Sequence, residues 1–430
     1  MDTNGNPGQR PAESIVVVGN GQAGIQLADS LRKEGHSGPI TVIGEEEHFP
    51  YQRPPLSKDY LVAAAGGGAP APLPLRAGKF FADNDVDSLL GVAVAGIDRA
   101  GHTVTLADGT VLGYSKLVLA TGAANRGLTV PGAGLAGIHG LRTLADAEAV
   151  HAALGTARRV VVIGAGFIGL EFAAAARARG LEVTVLEYAG RPMARALSPA
   201  MSEWFAAAHA DMGTVLRLGE GIASFQDDGA GHVAAAVSTT GTVYPADLVL
   251  AGVGVSPRTE LAEAAGLVVE NGVAVDASLR TSDPDIYALG DCASYPQAHA
   301  GIRLRLESVQ NATDQARHLA RTLAGTHPDG QQPYADLPWF WSQQGPLKLQ
   351  IAGLMHPGDE TVVRGDPAAG KFSVFCFRRG ELTAAESVNQ PADHLAARRL
   401  LTHKLPLTPE QATDPDFDLK AYSKAVPVPA

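Results

Sequence analysis

The stretches "ESIVVVGNGQAGIQLADSLRKEGHSGPITVIGEE" (Glu13–Glu46) and "RRVVVIGAGFIGLEFAAAARARGLEVTVLEY" (Arg158–Tyr188) follow one plan. Each opens on a short β-branched run, "SIVVVG" or "RVVVIG", of the kind that forms a strand buried on both faces. A helix follows in each. "GIQLADSLRKEG" has apolar spacing at Ile25, Leu27 and Leu31 and stops at Gly35, and "GLEFAAAARARG" stops at Gly180. A further strand, "ITVIGEE" or "EVTVLE", closes each unit. Two strands joined through a helix pair in parallel, so the repeat commits the chain to two parallel sheets.

The glycines between strand and helix carry the chemistry. Gly19-Asn20-Gly21-Gln22-Ala23-Gly24 and Gly164-Ala165-Gly166-Phe167-Ile168-Gly169 both fit G-x-G-x-x-G. In that pattern one glycine makes a tight turn, one lets backbone approach a pyrophosphate, and one lets helix and strand pack closely. The pyrophosphate then rests on the N–H groups at the helix start, where the helix dipole favours negative charge. An acid ends the next strand in each copy, Glu45 in the first and Glu187 in the second, and each is a candidate to accept hydrogen bonds from a ribose. At Glu187 a carboxylate suits the free ribose hydroxyls of NAD and repels the extra phosphate of NADP, although Arg191 and Arg195 follow closely and could blunt that preference. Two dinucleotide sites in one chain suggest a relay between two redox cofactors.

The repeat extends further. Each copy runs on to a strand entering a glycine turn, "LVLATG" (Leu117–Gly122) and "LVLAGVG" (Leu248–Gly254). Asp108-Gly109 marks a hairpin within the first copy. The Ala/Gly/Pro run from Ala63 to Pro74 reads as a surface loop. Beyond about Gln331 the pattern changes: "LPWFWSQQGPLKLQIAGL" and "KFSVFCFRRGELTAAESVN" read as an antiparallel sheet, and "PADHLAARRLLTHKL" as a helix. The 430 residues exceed one compact core, in keeping with three domains.

A net charge of −11 argues against wholesale nucleic-acid binding. Cys292 and Cys376 are too few and too far apart for a disulfide framework or a cysteine-rich metal site, and no CxxC occurs. The first dozen residues lack an apolar signal core and no apolar run is long enough to span a bilayer, which points to the cytoplasm and to no membrane partner.

Further stretches are more specific: "PYQRPPLSKDYL" (Pro50–Leu61), "LVLATGAANR", "TSDPDIYALGDCA" (Thr281–Ala293), "RLESVQNATDQARHLA" and "PWFWS". In this order, over roughly residues 13 to 425, the chain resembles the FAD-dependent NADH:ferredoxin reductases of bacterial oxygenase systems. The resemblance implies an α/β fold of glutathione-reductase-like architecture, with two Rossmann-like dinucleotide-binding domains and a C-terminal α+β domain. The FAD-binding domain would be discontinuous, 13–122 and 256–330, with the NAD-binding domain at 123–255. The C-terminal domain would occupy 331–425, near the flavin and the partner interface. FAD would lie on the first cradle and NADH on the second. Electrons would pass to a 2Fe-2S ferredoxin and so indirectly to a terminal oxygenase, a haem-thiolate monooxygenase or a Rieske dioxygenase.

The same resemblance implies the site residues. Gly19, Gly21, Ala23, Gly24, Glu45, Arg53, Val94, Ala120, Thr121, Gly122, Arg142, Gly290, Asp291, Val309 and Trp339 would contact FAD. Gly164, Gly166, Phe167, Ile168, Gly169, Glu187, Arg195 and Gly254 would contact NAD. Lys58 would approach the flavin ring, Glu171 the nicotinamide side, and Trp341 would lie between flavin and ferredoxin. The competing reading of Lys58 is a surface lysine after a Pro-Pro turn, and that of Glu171 a glutamate on a helix surface. Trp339 and Trp341 share one strand face and are equally sheet-packing aromatics. Arg317 is a candidate docking residue for an acidic ferredoxin. Disulfide reductases need a reactive cysteine beside the flavin, and the "PPLSK" region has none. An NADH oxidase, a rubredoxin reductase and an NADH-sensing flavoprotein of the apoptosis-inducing-factor type are the competing readings.

Overall fold

The computed structural model describes residues 13–62, 71–330 and 332–425, so most of the Ala63–Pro74 loop lies outside the described residues. The chain divides into two compact units: the described parts of Met1–Gln52, Leu73–Ala124 and Pro257–Asp336 make the first, and those of Arg53–Pro72, Asn125–Ser256 and Leu337–Ala430 the second.

The first unit is built on the strand Ile15–Val18, whose four side chains are all buried. It pairs in parallel with Ile40–Ile43 on one side and Lys116–Leu119 on the other, and the register brings Val18, Ile43 and Leu119 level. Val86–Leu89 and Ile286–Ala288 complete a five-stranded parallel sheet, Ile286–Ala288 joining Lys116–Leu119 from far along the chain. The helix Gln22–Lys33 buries Ile25, Leu27, Ala28 and Leu31. It ends before Gly35, whose φ of +86° permits the left-handed turn that closes a helix. A second helix, Val309–Ala324, packs along it, and the Gln22 amide donates to the Thr313 hydroxyl at 3.0 Å. The hairpin expected at Asp108-Gly109 forms: Gly109 has φ +89° and the Asp108 carboxylate accepts the Thr110 N–H.

The second unit repeats the plan. Arg159–Ile163 lies between Glu182–Glu187 and Leu248–Ala251, with Val215–Leu218 and Ile138–His139 at the edges, all parallel. The helix Phe167–Ala178 follows the glycine turn. The last part of the chain forms the expected antiparallel sheet, in the order Trp339–Gln344, Leu347–Gly353, Glu381–Val388, Lys371–Arg378, Glu360–Asp366. The helix Pro391–Thr402 packs on it through Ala396, Ala397, Leu400 and Leu401. The segment from Arg53 to Val62 also packs in this unit: its helical turn Asp59–Val62 lies on Phe167–Ala178, and the Arg179 guanidinium donates to the Leu61 carbonyl at 2.9 Å. No described helix is long and apolar enough to cross a membrane.

One buried carboxyl links two parts of this unit. Glu386, fully buried on the strand Glu381–Val388, accepts the Ser198 N–H at 2.7 Å and the Ser198 hydroxyl at 2.6 Å. Ser198 caps the helix Pro199–Asp211. Burial pushes the Glu386 carboxyl up from its ordinary 4.5 to about 7, against the pull of the Ser198 bonds and of Arg191. A carboxyl whose folded pKa is raised contributes stability in full below its unfolded pKa and loses it as pH rises through 7. The loss is of order 3 kcal/mol. Thermal melts of Glu386→Gln against the native protein should therefore show the variant's relative Tm rising between pH 5 and pH 8; a difference that stays constant with pH would show that Glu386 is not the titrating group.

Candidate functional site

The first cradle is glycine by necessity at its ends and by choice of ligand in the middle. A Cβ on Gly19, whose φ is +120°, would lie 2.1 Å from the Ala120 carbonyl oxygen, and one on Gly24 would lie 2.0 Å from that of Gly19. A Cβ on Gly21 would meet nothing within 4 Å. The middle glycine thus faces open space in front of the helix start, where Gly21 provides no side-chain cap and the first turn holds no acid. This is the surface a pyrophosphate needs. Gly290, with φ +77°, brings its backbone against Ala23, where a Cβ would lie 3.0 Å from the Ala23 methyl, so Gly290 and Asp291 stand at the same helix start. Val309 opens the neighbouring helix and is 36% exposed. Ala120, Thr121 and Gly122 continue the strand beside Gly19. Val94 begins the antiparallel strand Val94–Asp98, packed partly buried against the core. Glu45 does not stand alone: Arg258 Nη1 lies 2.5 Å from its Oε2.

The second cradle copies the first. A Cβ on Gly164 (φ +99°) would lie 2.6 Å from the Gly252 oxygen and one on Gly169 2.1 Å from the Gly164 oxygen, while Gly166 again faces open space and leaves its helix uncapped by a side chain. Its acid is placed differently. Glu187 accepts the Ala165 N–H at 2.6 Å and the Ala189 N–H at 2.7 Å, so its carboxylate braces the glycine turn itself. Arg191 is turned away: it donates to the Leu197 and Ala194 carbonyls and to the Ser202 hydroxyl. Arg195 stays exposed, its guanidinium 3.8 Å from where a Gly254 Cβ would sit. Ile168 is 43% exposed at the helix start, whereas the Phe167 ring packs at a tilt against Phe340 with ring centres 4.6 Å apart.

The second unit also holds a buried polar cluster. Glu171 is 3% exposed. Its carboxylate accepts the Ser57 hydroxyl at 2.5 Å, the Lys58 ammonium at 2.6 Å and the Ser342 hydroxyl at 2.7 Å. Lys58 donates as well to the Pro54 carbonyl, and its Nζ lies 5.2 Å from the Trp341 ring centre. Glu171 is thus no helix-surface glutamate and Lys58 no free surface lysine. Trp341 shares this cluster, but Trp339 faces the helix Pro391–Thr402, with Arg398 4.4 Å from its ring centre and His394 beside it. Arg53 donates to the Arg142 carbonyl, and the Arg142 N–H donates to the Asp146 carboxylate. Ser57, Ser342 and Arg258 were not anticipated from the sequence. Ser57 is adjacent to Lys58, but nothing local marks Ser342 or Arg258.

Both cysteines are free and buried, and burial pushes both thiols up, away from the thiolate that disulfide chemistry requires. Two dinucleotide cradles in one chain, with both thiols buried, fit an oxidoreductase that holds two dinucleotides. Residues 13–316 match the Pyridine nucleotide-disulphide oxidoreductase family, and residues 339–423 match the Reductase C-terminal domain. The chain is 50% identical over 407 residues to rhodocoxin reductase of Rhodococcus erythropolis, covering 95% of this chain and 93% of that one. Among solved structures it is similar to the ferredoxin reductase for the CYP199A2 system from Rhodopseudomonas palustris, with 46% identity, a TM-score of 0.92, and coverage of 96% of this chain and 100% of that one. It is similar too to the covalent putidaredoxin reductase–putidaredoxin complex, with 38% identity, a TM-score of 0.90, and coverage of 97% of this chain and 100% of that one. The chain belongs to the pyridine nucleotide-disulphide oxidoreductase family, among its ferredoxin reductases.

Removing one member of a buried ion pair leaves the other charged and desolvated. Glu171→Ala is expected to lose about 3–5 kcal/mol in urea unfolding. Adding Lys58→Met should return part of that loss, because the stranded cation goes with it. Additive losses in the double variant would show that the two charges act independently.

Proposed function

We propose that this chain takes reducing equivalents from NADH on the second cradle to FAD on the first and delivers them singly to a 2Fe-2S ferredoxin that serves an oxygenase. The observation that carries the reading is the pair of open glycine cradles, each with an acid at the end of its next strand, in a chain whose two thiols are buried. The ferredoxin and oxygenase rest on the relatives' names. When bound, FAD supplies the step-down from a two-electron donor to a one-electron acceptor.

The chain's own residues supply position and charge. Gly21, Ala23 and Gly290 would hold the FAD pyrophosphate against backbone N–H groups, with Asp291 beside them and Glu45 on the ribose. Lys58 would present a cation to the flavin ring, where it favours the added negative charge. Glu171 and the Pro54 carbonyl fix its ammonium, so little reorganisation remains at the moment of transfer. Glu187 favours NADH over NADPH. Arg191, the nearest guanidinium in sequence that could receive a 2′-phosphate, is already committed to three internal acceptors. Trp341, on the Lys58 ammonium, is the aromatic we place on the route to the ferredoxin. Arg317, whose side chain is 55% exposed, would steer an acidic partner. In domain terms, 13–122 and 256–330 would bind FAD, 123–255 NADH, and 331–425 would complete the flavin and partner face.

The test has two arms. Gly21→Val should yield protein depleted of FAD, whereas Gly166→Val should keep its flavin and raise KM for NADH more than about tenfold, as a methyl-bearing backbone cannot approach the pyrophosphate. In stopped flow, NADH should bleach the flavin rapidly and a 2Fe-2S ferredoxin should be reduced at a rate that falls with salt and in Arg317→Ala. Brisk oxygen consumption without reduction of any ferredoxin would overturn the reading in favour of an oxidase.

A further inference from the structure

The Arg258–Glu45 pair spans the mouth of the first cradle. The Arg258 backbone is fastened at one side: its N–H donates to the Gly122 carbonyl at 3.0 Å, and its carbonyl accepts the Thr121 hydroxyl at 2.7 Å. Thr121 and Gly122 lie just past the end of the strand Lys116–Leu119. Glu45 lies just past the end of Ile40–Ile43. Between those two strands in the sheet runs Ile15–Val18, which ends in the glycine turn Gly19–Gly24. An arginine rooted beyond one neighbour, with its guanidinium 2.5 Å from a carboxylate beyond the other, must therefore cross the carboxyl end of the central strand. That crossing covers two strand spacings, roughly 10 Å.

An exposed ion pair of this kind adds little to the stability of a fold, and these side chains are 44% and 56% exposed. The geometry instead suits a ligand. A guanidinium carries five donors in a planar fork that matches phosphate, while the carboxylate it meets can accept ribose hydroxyls. The Glu45 hydrogen bond, and beyond it the charges of Glu260 and Glu46, push the Arg258 guanidinium further up from its ordinary value. We propose that Arg258 is a strap across the first cradle, closing over the pyrophosphate–ribose segment of the bound dinucleotide and slowing its release. The strap rests on the reading that this cradle holds FAD. Arg258 is here a positioning residue and takes no part in the redox step.

FAD release can be followed by the fluorescence regained as flavin leaves the holoprotein into dilute solution. Arg258→Ala should speed release about tenfold, the loss of one charge-assisted hydrogen-bonding group, and Arg258→Lys should fall between. The Tm of the FAD-loaded Arg258→Ala protein should drop, while that of its apoprotein should match the native apoprotein. Unchanged or slower release would overturn the strap, as would an equal fall in both melting temperatures, which would mark an ordinary structural pair. Gly21→Val separates the two ideas. If it loses FAD while Arg258→Ala retains it as the native protein does, only the strap fails. If Gly21→Val retains FAD fully, the cradle assignment fails and the strap falls with it.

Discussion

The close approach of a helix start to the end of a strand is the constraint on which both halves of this molecule rest. At Gly24 and Gly169 the helix backbone passes the carbonyl of the first cradle glycine so closely that a Cβ would lie about 2 Å from that oxygen. Any side chain there would push the helix off the sheet and carry its N–H groups away from the strand end. Because both positions are glycine, each helix presents its uncapped amides at the carboxyl edge of a parallel sheet. In open sheets of this type that edge is where ligands bind. The strands that flank the central one then decide what else reaches the cradle: Thr121, Gly122 and Glu45 in the first, Gly252, Gly254 and Glu187 in the second.

The second structural commitment is the Glu171 carboxylate. Burying an ion pair costs desolvation of both charges, and pairing with a cation alone seldom repays it. Here the cost is met by hydrogen bonds: two serine hydroxyls and the Lys58 ammonium occupy the carboxylate, and Lys58 gains the Pro54 carbonyl and the Trp341 ring. The network joins three separate stretches of chain: the donors come from the "RPPLSK" turn and the edge strand Trp339–Gln344, and the acceptor from the cradle helix. A fully satisfied network of this kind fixes one arrangement of those stretches. It explains why Arg53–Val62 packs with the second unit although its neighbours in sequence, up to Gln52, belong to the first.

The parts of this architecture that depend on local pattern were legible in the sequence. Glycine spacing, β-branched runs and the acid at each strand end announce both cradles, because each is assembled from contiguous residues. The alternation of Trp339 and Trp341 correctly placed them on one strand face, yet not that their partners differ, since Lys58 and Arg398 arrive from distant segments. The burial of Glu171 had a sequence signal that a helix-surface reading passes over. Leu170, Phe172 and Ala173–Ala176 make that helix apolar on every side, so a charge within it must be buried and paired. Ser342 and Arg258 had no such signal. Their roles follow only from strand order, which places Arg258 across a turn more than two hundred residues earlier in the chain.

The two cradles are alike in backbone and unlike in how they use their acids, and on the proposed assignment, FAD to the first and NADH to the second, the difference matches the demands on a resident and an exchanging cofactor. Glu187 spends its charge on the N–H groups of Ala165 and Ala189, so the second cradle is braced from within and its mouth carries no cross-bar among the described residues. Glu45 is bound instead by a side chain that spans the mouth of the first. A site braced from within can exchange its ligand without breaking a contact of its own. A site crossed by an ion pair must open that pair to admit or release one, which adds a barrier to both steps. A cofactor that stays through many turnovers is served by the second arrangement, and a substrate that leaves after each is served by the first. Duplication accounts for the shared backbone, and the placement of two carboxylates is what separates the halves.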